Sequence, residues 1–213
     1  MRRGARGRAI VGVGLLAAGT GLTAMVANHA TRKVVQSIDD RWYELSQRPH
    51  PAAVRVGSRL LDLALSTTPD WTARVAVTAL LVRQRRWQAL AGWAGTIVLG
   101  EACIGPIKSV IDRPRPLSPR TTTSQSSYPS GHAIAAGTTV PGIVLALLPP
   151  GPVRAWALGG AVGVAAATAL SRADLNAHWL SDCVGGFCLG TGFALAVPAA
   201  VEGLAQARTE RRR

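Results

Sequence analysis

Apolar residues in this chain come in long blocks rather than in alternation, and the blocks set the architecture. Six stretches, at residues 9–28, 69–82, 87–107, 132–149, 153–171 and 179–201, are dominated by Ala, Gly, Val and Leu. Most approach the roughly 20 residues that a helix needs to cross the hydrocarbon layer. The second block is short and carries Arg74 inside it, a residue expected to snorkel toward the interface. No strand-like alternation persists, and no repeat of fixed period is present. Backbone groups in lipid must be satisfied within helices or closed barrels, and these blocks are too long and too uniformly apolar for barrel strands. The expected fold is all-α, a polytopic membrane helical bundle of about six transmembrane helices, in a single domain over residues 1–213.

The segment between the first two spans, residues 30–68, reads differently. Val34, Val35, Ile38, Trp42 and Leu45 recur at helical spacing among charged residues. After Pro49 and Pro51, the run from Val54 to Leu65 is again helix-like, with Arg55, Arg59 and Asp62 on one side. Both pieces are expected to be amphipathic helices, apolar faces toward lipid or against the bundle. Trp71, Trp87, Trp156 and Trp179 fall at span edges, where an indole sits half in lipid and half among headgroups. Gly159, Gly160, Gly163, Gly185, Gly186, Gly190 and Gly192 are expected to permit close helix approach.

Composition narrows the class. With 48% hydrophobic and 16% charged residues, disorder and a collagen-like repeat are excluded. Cys103, Cys183 and Cys188 are odd in number and lie inside apolar spans, where they pack as small hydrophobes; a disulfide scaffold and a thiolate metal site are not expected. The net charge of +13 raises the question of nucleic acid, but position answers it. Arg2, Arg3, Arg6, Arg8, Arg83, Arg85, Arg86, Arg154, Arg208, Arg211, Arg212 and Arg213, half of the 24 basic residues, sit at the ends that alternate insertion leaves in the cytoplasm. Only Glu202 and Glu210 accompany them. The positive-inside rule therefore places both termini, including the basic tail 202–213, in the cytoplasm. Nucleic acid is not an expected partner. The first apolar run exceeds the ~7–15 residues of a signal peptide and lacks an A-x-A site, so it is expected to stay as an anchor.

With the amino terminus inside, residues 108–131, residues 171–178 and the first part of the 30–68 loop share the outer side. Cations, two histidines and a carboxylate gather there. Lys108, Arg115 and Arg172 suit an oxyanion, ammonium as a point charge and guanidinium as a planar fork. Pro129, Ser130 and Gly131 precede the fourth span, so the N–H groups of that helix start and the Ser130 hydroxyl are candidate donors to the same anion. His178 and Asp182 are four apart, which on a helix brings them within hydrogen-bond reach. The carboxylate is expected to fix the imidazole tautomer and leave the other nitrogen to attack phosphorus. His132 is placed to protonate the departing oxygen and then to activate water.

The order Lys108, six residues, Arg115-Pro116, then Pro129-Ser130-Gly131-His132, then Ser171-Arg172, five residues, His178, three residues, Asp182 resembles the three-part signature of the type 2 phosphatidic acid phosphatase superfamily. That superfamily also holds vanadium-dependent haloperoxidases and glucose-6-phosphatase. The strict match covers residues 108–182, and the six-span layout extends it loosely over the chain. The resemblance implies a phosphorylated His178 supported by Asp182, a general acid at His132, and Lys108, Arg115, Ser130, Gly131 and Arg172 around the phosphoryl oxygens. It implies hydrolysis without a metal or other cofactor.

The expected activity is removal of a terminal phosphate from a lipid at the outer face of the cytoplasmic membrane. Polyprenyl diphosphate, phosphatidic acid and phosphatidylglycerol phosphate are the candidate substrates. Two alternatives use the same cations: an anion or lipid-phosphate transporter, and a haloperoxidase-like enzyme with vanadate in the phosphate site. Three polar residues lie outside this scheme. Arg113 has no assigned catalytic partner and is expected to face substrate or headgroups. Glu101, two helical turns before Lys108, supports the lysine, faces the substrate entrance or makes an interhelical hydrogen bond. His29 and His50 are expected to be solvated.

Overall fold

The computed structural model describes residues 3–48, 51–123 and 126–211, all of whose regular structure is helical. Pro49, His50, Arg2, Arg212 and Arg213 lie outside the described residues. The helices are α1 (Arg3–Ala27), α2 (His29–Gln47), α3 (Ala52–Ala64), α4 (Thr67–Arg83), α5 (Trp87–Ile111), α6 (Gly131–Leu147), α7 (Pro152–Asp174) and α8 (Leu180–Glu210). Four of them, α1, α5, α7 and α8, are long and apolar enough to cross a membrane. At 17 residues each, α4 and α6 extend about 25 Å and sit at the lower limit for a span. The α8 helix continues nine residues past the apolar block, through the acidic and basic residues up to Glu210.

Helix α8 is the axis of the bundle, packed by α1, α5, α6 and α7. Small residues make that possible. A side chain at Gly137 of α6 would meet the backbone nitrogen of Thr191 in α8 at 2.7 Å, and one at Gly12 of α1 would meet that of Ala196 at 2.7 Å. Gly185, Gly186, Gly190 and Gly192 of α8 are crowded in the same way, by Tyr128, α6 and α1. The glycines of α7 differ from expectation: a Cβ at Gly159, Gly160 or Gly163 would meet nothing within 4 Å, because they lie on the open face of that helix.

The ends of the bundle sort cleanly. Arg8 near the start of α1 forms a two-oxygen ion pair with Glu202 near the end of α8, at 2.8 Å to each oxygen. The end of α5, the start of α6, the end of α7 and the start of α8 meet at the opposite end. There α2 and α3 close the bundle. Val34, Ile38, Leu45, Val54, Val56, Leu60 and Leu63 are exposed, while Asp39, Ser46 and Ser58 are buried. Each helix therefore presents apolar residues outward beside exposed Lys33, Arg41, Arg55 and Arg59, as suits helices on a lipid surface. Trp71, Trp87 and Trp156 are exposed at helix ends. Trp179 instead donates to the Pro114 carbonyl at 2.8 Å and lies under the Arg113 guanidinium.

Arg74 departs from its expected outward course. It is 3% exposed, with Nε 2.8 Å from Asp70, Nη1 2.5 Å from Glu101 and a hydrogen bond to Thr139 at 2.9 Å. A charge within a span is costly unless paired, and two carboxylates from α4 and α5 pair it. That also settles Glu101: it makes an interhelical ion pair, and Lys108 turns elsewhere.

Candidate active site

The three polar stretches converge at one end. His178 is not on α8 but two residues before it, with Trp179 as the N-cap. Its backbone is held by the last turn of α7, through the bond from its N–H to the Arg172 carbonyl at 3.3 Å. Asn176 makes the turn with φ of 53°, a left-handed conformation that asparagine tolerates better than most residues. Asp182 is the N3 residue of α8 and accepts from the Trp179 N–H at 2.9 Å, which ties the histidine's segment to the carboxylate.

The expected hydrogen bond between His178 and Asp182 is replaced by a relay. The ring Nδ1 lies 3.8 Å from Asp182 Oδ2, too far for a hydrogen bond, and 2.7 Å from the Ser127 carbonyl. A carbonyl only accepts, so Nδ1 carries the proton and Nε2 keeps its lone pair. Ser127 in turn donates from its hydroxyl to Asp182 Oδ2 at 2.5 Å. The carboxylate thus holds the residue that holds the ring. Burial, with the Arg115 and Arg172 cations adding to it, pushes the His178 imidazole down from 6.5 to about 4, against the pull of Asp182. The ring is neutral over the whole range in which ordinary histidines titrate, and only below about pH 4 does a proton occupy Nε2. A histidine-selective NMR titration should show no protonation of His178 above about pH 5; a midpoint near 6.5 contradicts the buried, Nδ1-bonded ring.

Arg113 is not at the substrate. It is 2% exposed and bridges two carboxylates, Asp182 Oδ1 at 2.6 Å and Asp39 Oδ2 at 2.7 Å, with further bonds to Gln36 and Ser181. Its fork matches that double demand. Asp39 also accepts from the Ser181 N–H at 2.8 Å and hydroxyl at 2.6 Å, which fastens α2 onto the start of α8. Sequence reasoning missed Asp39, Gln36 and Ser127. Ser127 stands one residue before the Tyr128-Pro129-Ser130 run, but nothing in its spacing marks a carbonyl as the histidine's partner.

The cations expected around a phosphoryl group are arranged above this base. Lys108 Nζ and Arg115 both donate to the Ser126 carbonyl, the former at 2.5 Å and the latter at 3.4 Å. Arg115 Nη1 also reaches the Ala177 carbonyl at 2.5 Å and stands 3.2 Å from His178 Nε2. Ser130 is the N-cap of α6, its Oγ accepting from the Ala133 N–H at 3.4 Å, and its own N–H bonds to the Asp182 carbonyl at 3.1 Å. The N–H groups of Gly131 and His132 are those that a helix start leaves without an internal acceptor. A Cβ on Gly131 would meet nothing within 4 Å, so the space beside it is open to a ligand.

Arg172 and His132 share a neighbour that sequence reasoning placed only on an amphipathic face. The Arg172 guanidinium contacts Asp62 Oδ1 of α3, the same oxygen lies 4.0 Å from His132 Nε2, and Thr121 donates to Asp62 Oδ2 at 3.0 Å. His132 and Gly131 also line a cavity of about 210 Å³ with Leu65, Trp71, Ile104 and Ala135. A larger cleft of about 850 Å³ opens at the other end of the bundle, among Arg85, Arg86, Arg154 and Glu202, away from every signature residue. Among the described residues no group of three His, Cys, Asp or Glu side chains converges as a metal cluster; the converging donors suit an anion.

The sequence profile of the PAP2 superfamily matches residues 89–205. The chain belongs to that superfamily. Its fold is similar to that in the crystal structure of the first transmembrane PAP2 type phosphatidylglycerolphosphate phosphatase from Bacillus subtilis, with a TM-score of 0.71 and 22% identity over 92% of this chain and 96% of that one. No curated protein matches. Family, fold and apolar helices together make this a multi-pass membrane protein of the PAP2 superfamily.

Proposed function

We propose that the enzyme removes a terminal phosphate from a lipid phosphate or diphosphate through a phosphohistidine on His178, without a metal. The carrying observation is the Nδ1 bond to the Ser127 carbonyl at 2.7 Å, which leaves Nε2 as a fixed, uncharged lone pair under the cations. In this reading Nε2 attacks phosphorus while the bond to the leaving oxygen breaks. His132 gives that oxygen its proton. Lys108, Arg115, Arg172 and the N–H groups at the start of α6 hold the phosphoryl oxygens as charge redistributes. Water then gives a proton back to His132 and attacks phosphorus, and the nitrogen–phosphorus bond breaks to release inorganic phosphate. Ser130 serves by capping α6, and Asp182 acts at one remove, through Ser127 and Arg113.

Residues 1–213 act as one integral-membrane domain in this reading. The site faces the outside of the cytoplasmic membrane, with both termini inside, as the arginine distribution supports. A lipid-borne phosphate arrives at the depth where these helix ends lie. Phosphatidylglycerol phosphate has added support from the named activity of the structural neighbour; phosphatidic acid and polyprenyl diphosphates share the phosphoryl group that the cations hold. The test is phosphate release by purified protein across those three lipids, compared by kcat/KM, with and without EDTA. Turnover on at least one of them, unchanged by chelator, supports the reading. Activity lost to EDTA and restored by magnesium refutes its metal-free mechanism.

A further inference from the structure

The carboxylate of Asp62 stands where a phosphoryl oxygen is expected, on Arg172, and the same oxygen faces His132 across 4.0 Å. Two other carboxylates border the cavity beside His132, Asp70 of α4 and Glu101 of α5. Both are committed to Arg74, at 2.8 and 2.5 Å. The remaining charges near the ring are cationic: Arg115 from the loop after α5, and Arg172 from α7 on the far side of Asp62. Asp62 is thus the acid whose present partner is one that substrate displaces. A phosphoryl group carries more negative charge than a carboxylate and has more oxygens to offer, so it takes the guanidinium when it arrives. Asp62 then lies beside an imidazole that must hold a proton until the leaving oxygen needs it.

Resting on the phosphohistidine reading above, we propose that Asp62 is a positioning carboxylate exchanged between two partners: it occupies Arg172 while the cradle is empty, and passes to His132 when phosphate binds. In the second position it steadies the imidazolium by a charge-assisted hydrogen bond. His132 gives its proton to the leaving oxygen, and the proton from the attacking water restores the imidazolium in the next step. Asp62 itself neither gains nor loses a proton. Thr121, donating to the other oxygen at 3.0 Å, is the pivot about which the carboxylate turns.

Two consequences separate this exchange from a merely structural salt bridge. Removing the charge frees Arg172, so inorganic phosphate and vanadate bind more tightly. It also destabilises the imidazolium, so less of His132 holds a proton, which in the phosphorylation step matters only when the leaving oxygen needs one. The experiment compares wild type, Asp62→Asn and Asp62→Glu in a single detergent, with a lipid phosphate and p-nitrophenyl phosphate as substrates and vanadate as inhibitor. For Asp62→Asn the vanadate inhibition constant should fall about tenfold. In single-turnover mixing, the rate of leaving-group release from the lipid phosphate should fall at least about thirtyfold, and that from p-nitrophenyl phosphate, whose leaving group needs no proton, by less than about threefold. Asp62→Glu should recover most of the lipid phosphate rate. Equal losses on both substrates, or an unchanged vanadate constant, overturn the exchange. Wild type inactive on every phosphate ester defeats the phosphatase reading instead, so the two failures are told apart.

Discussion

Replacing His178 by Ala should lower phosphate release by more than roughly 10⁴-fold, as loss of a nucleophile generally does, while vanadate still binds within about tenfold of wild type. The separation follows from the geometry. Lys108 and Arg115 are anchored on the Ser126 carbonyl, and Arg115 also on that of Ala177. Arg115 loses its 3.2 Å contact with His178 Nε2 in this variant, but the carbonyl anchors do not involve the imidazole. A truncated side chain therefore removes the attacking nitrogen and spares the anion cradle. Residual turnover above about 1% of wild type places the nucleophile elsewhere. A carrier that binds phosphate without reaction keeps its flux in the same variant.

The second large effect is on stability. Arg113→Met removes the cation shared by Asp39 and Asp182, each of them fully buried. Stranding buried charges in this way costs about 3–5 kcal/mol, which for a chain of this size lowers the unfolding midpoint by on the order of 10 °C. Arg113→Lys should recover little of it, because an ammonium cannot span both carboxylates, Gln36 and Ser181 as the fork does. Adding Asp39→Asn to Arg113→Met removes one of the two stranded charges and should return part of the loss. Thermal unfolding of the three variants in one detergent decides it, and an Arg113→Met midpoint within about 2 °C of wild type refutes the bridging role.

Much of this was legible in the sequence, for identifiable reasons. Uniform apolar blocks predict helices by length alone, and α1, α5, α7 and α8 follow them closely. Residues locked to helix ends by motif spacing, such as His132 and Asp182, land at the shared end of the bundle. Contacts that depend on tertiary approach were not legible. Arg74 looked like a snorkelling cation although Asp70, four residues before it, was within helical reach; its second carboxylate, Glu101, is on the next helix, and only packing brings that one close. Arg113 looked substrate-facing because Asp39 is 74 residues away in the chain. The His178 tautomer depends on a backbone carbonyl, which every residue has, so no residue type announces it. The α7 glycines fit a packing motif that the helix presents to its open face.

In the proposed mechanism phosphorus becomes bonded to His178 Nε2 during turnover. Rapid quenching of wild-type enzyme with a lipid phosphate into alkali, followed by peptide mass spectrometry, tests it directly. The predicted result is a phosphoryl group on His178, stable in base, lost in acid, absent from His178→Ala and more abundant in His132→Ala with an activated ester, where hydrolysis of the intermediate slows. Turnover in wild type with no phosphorylated histidine, or with the phosphoryl group on another residue, contradicts the account.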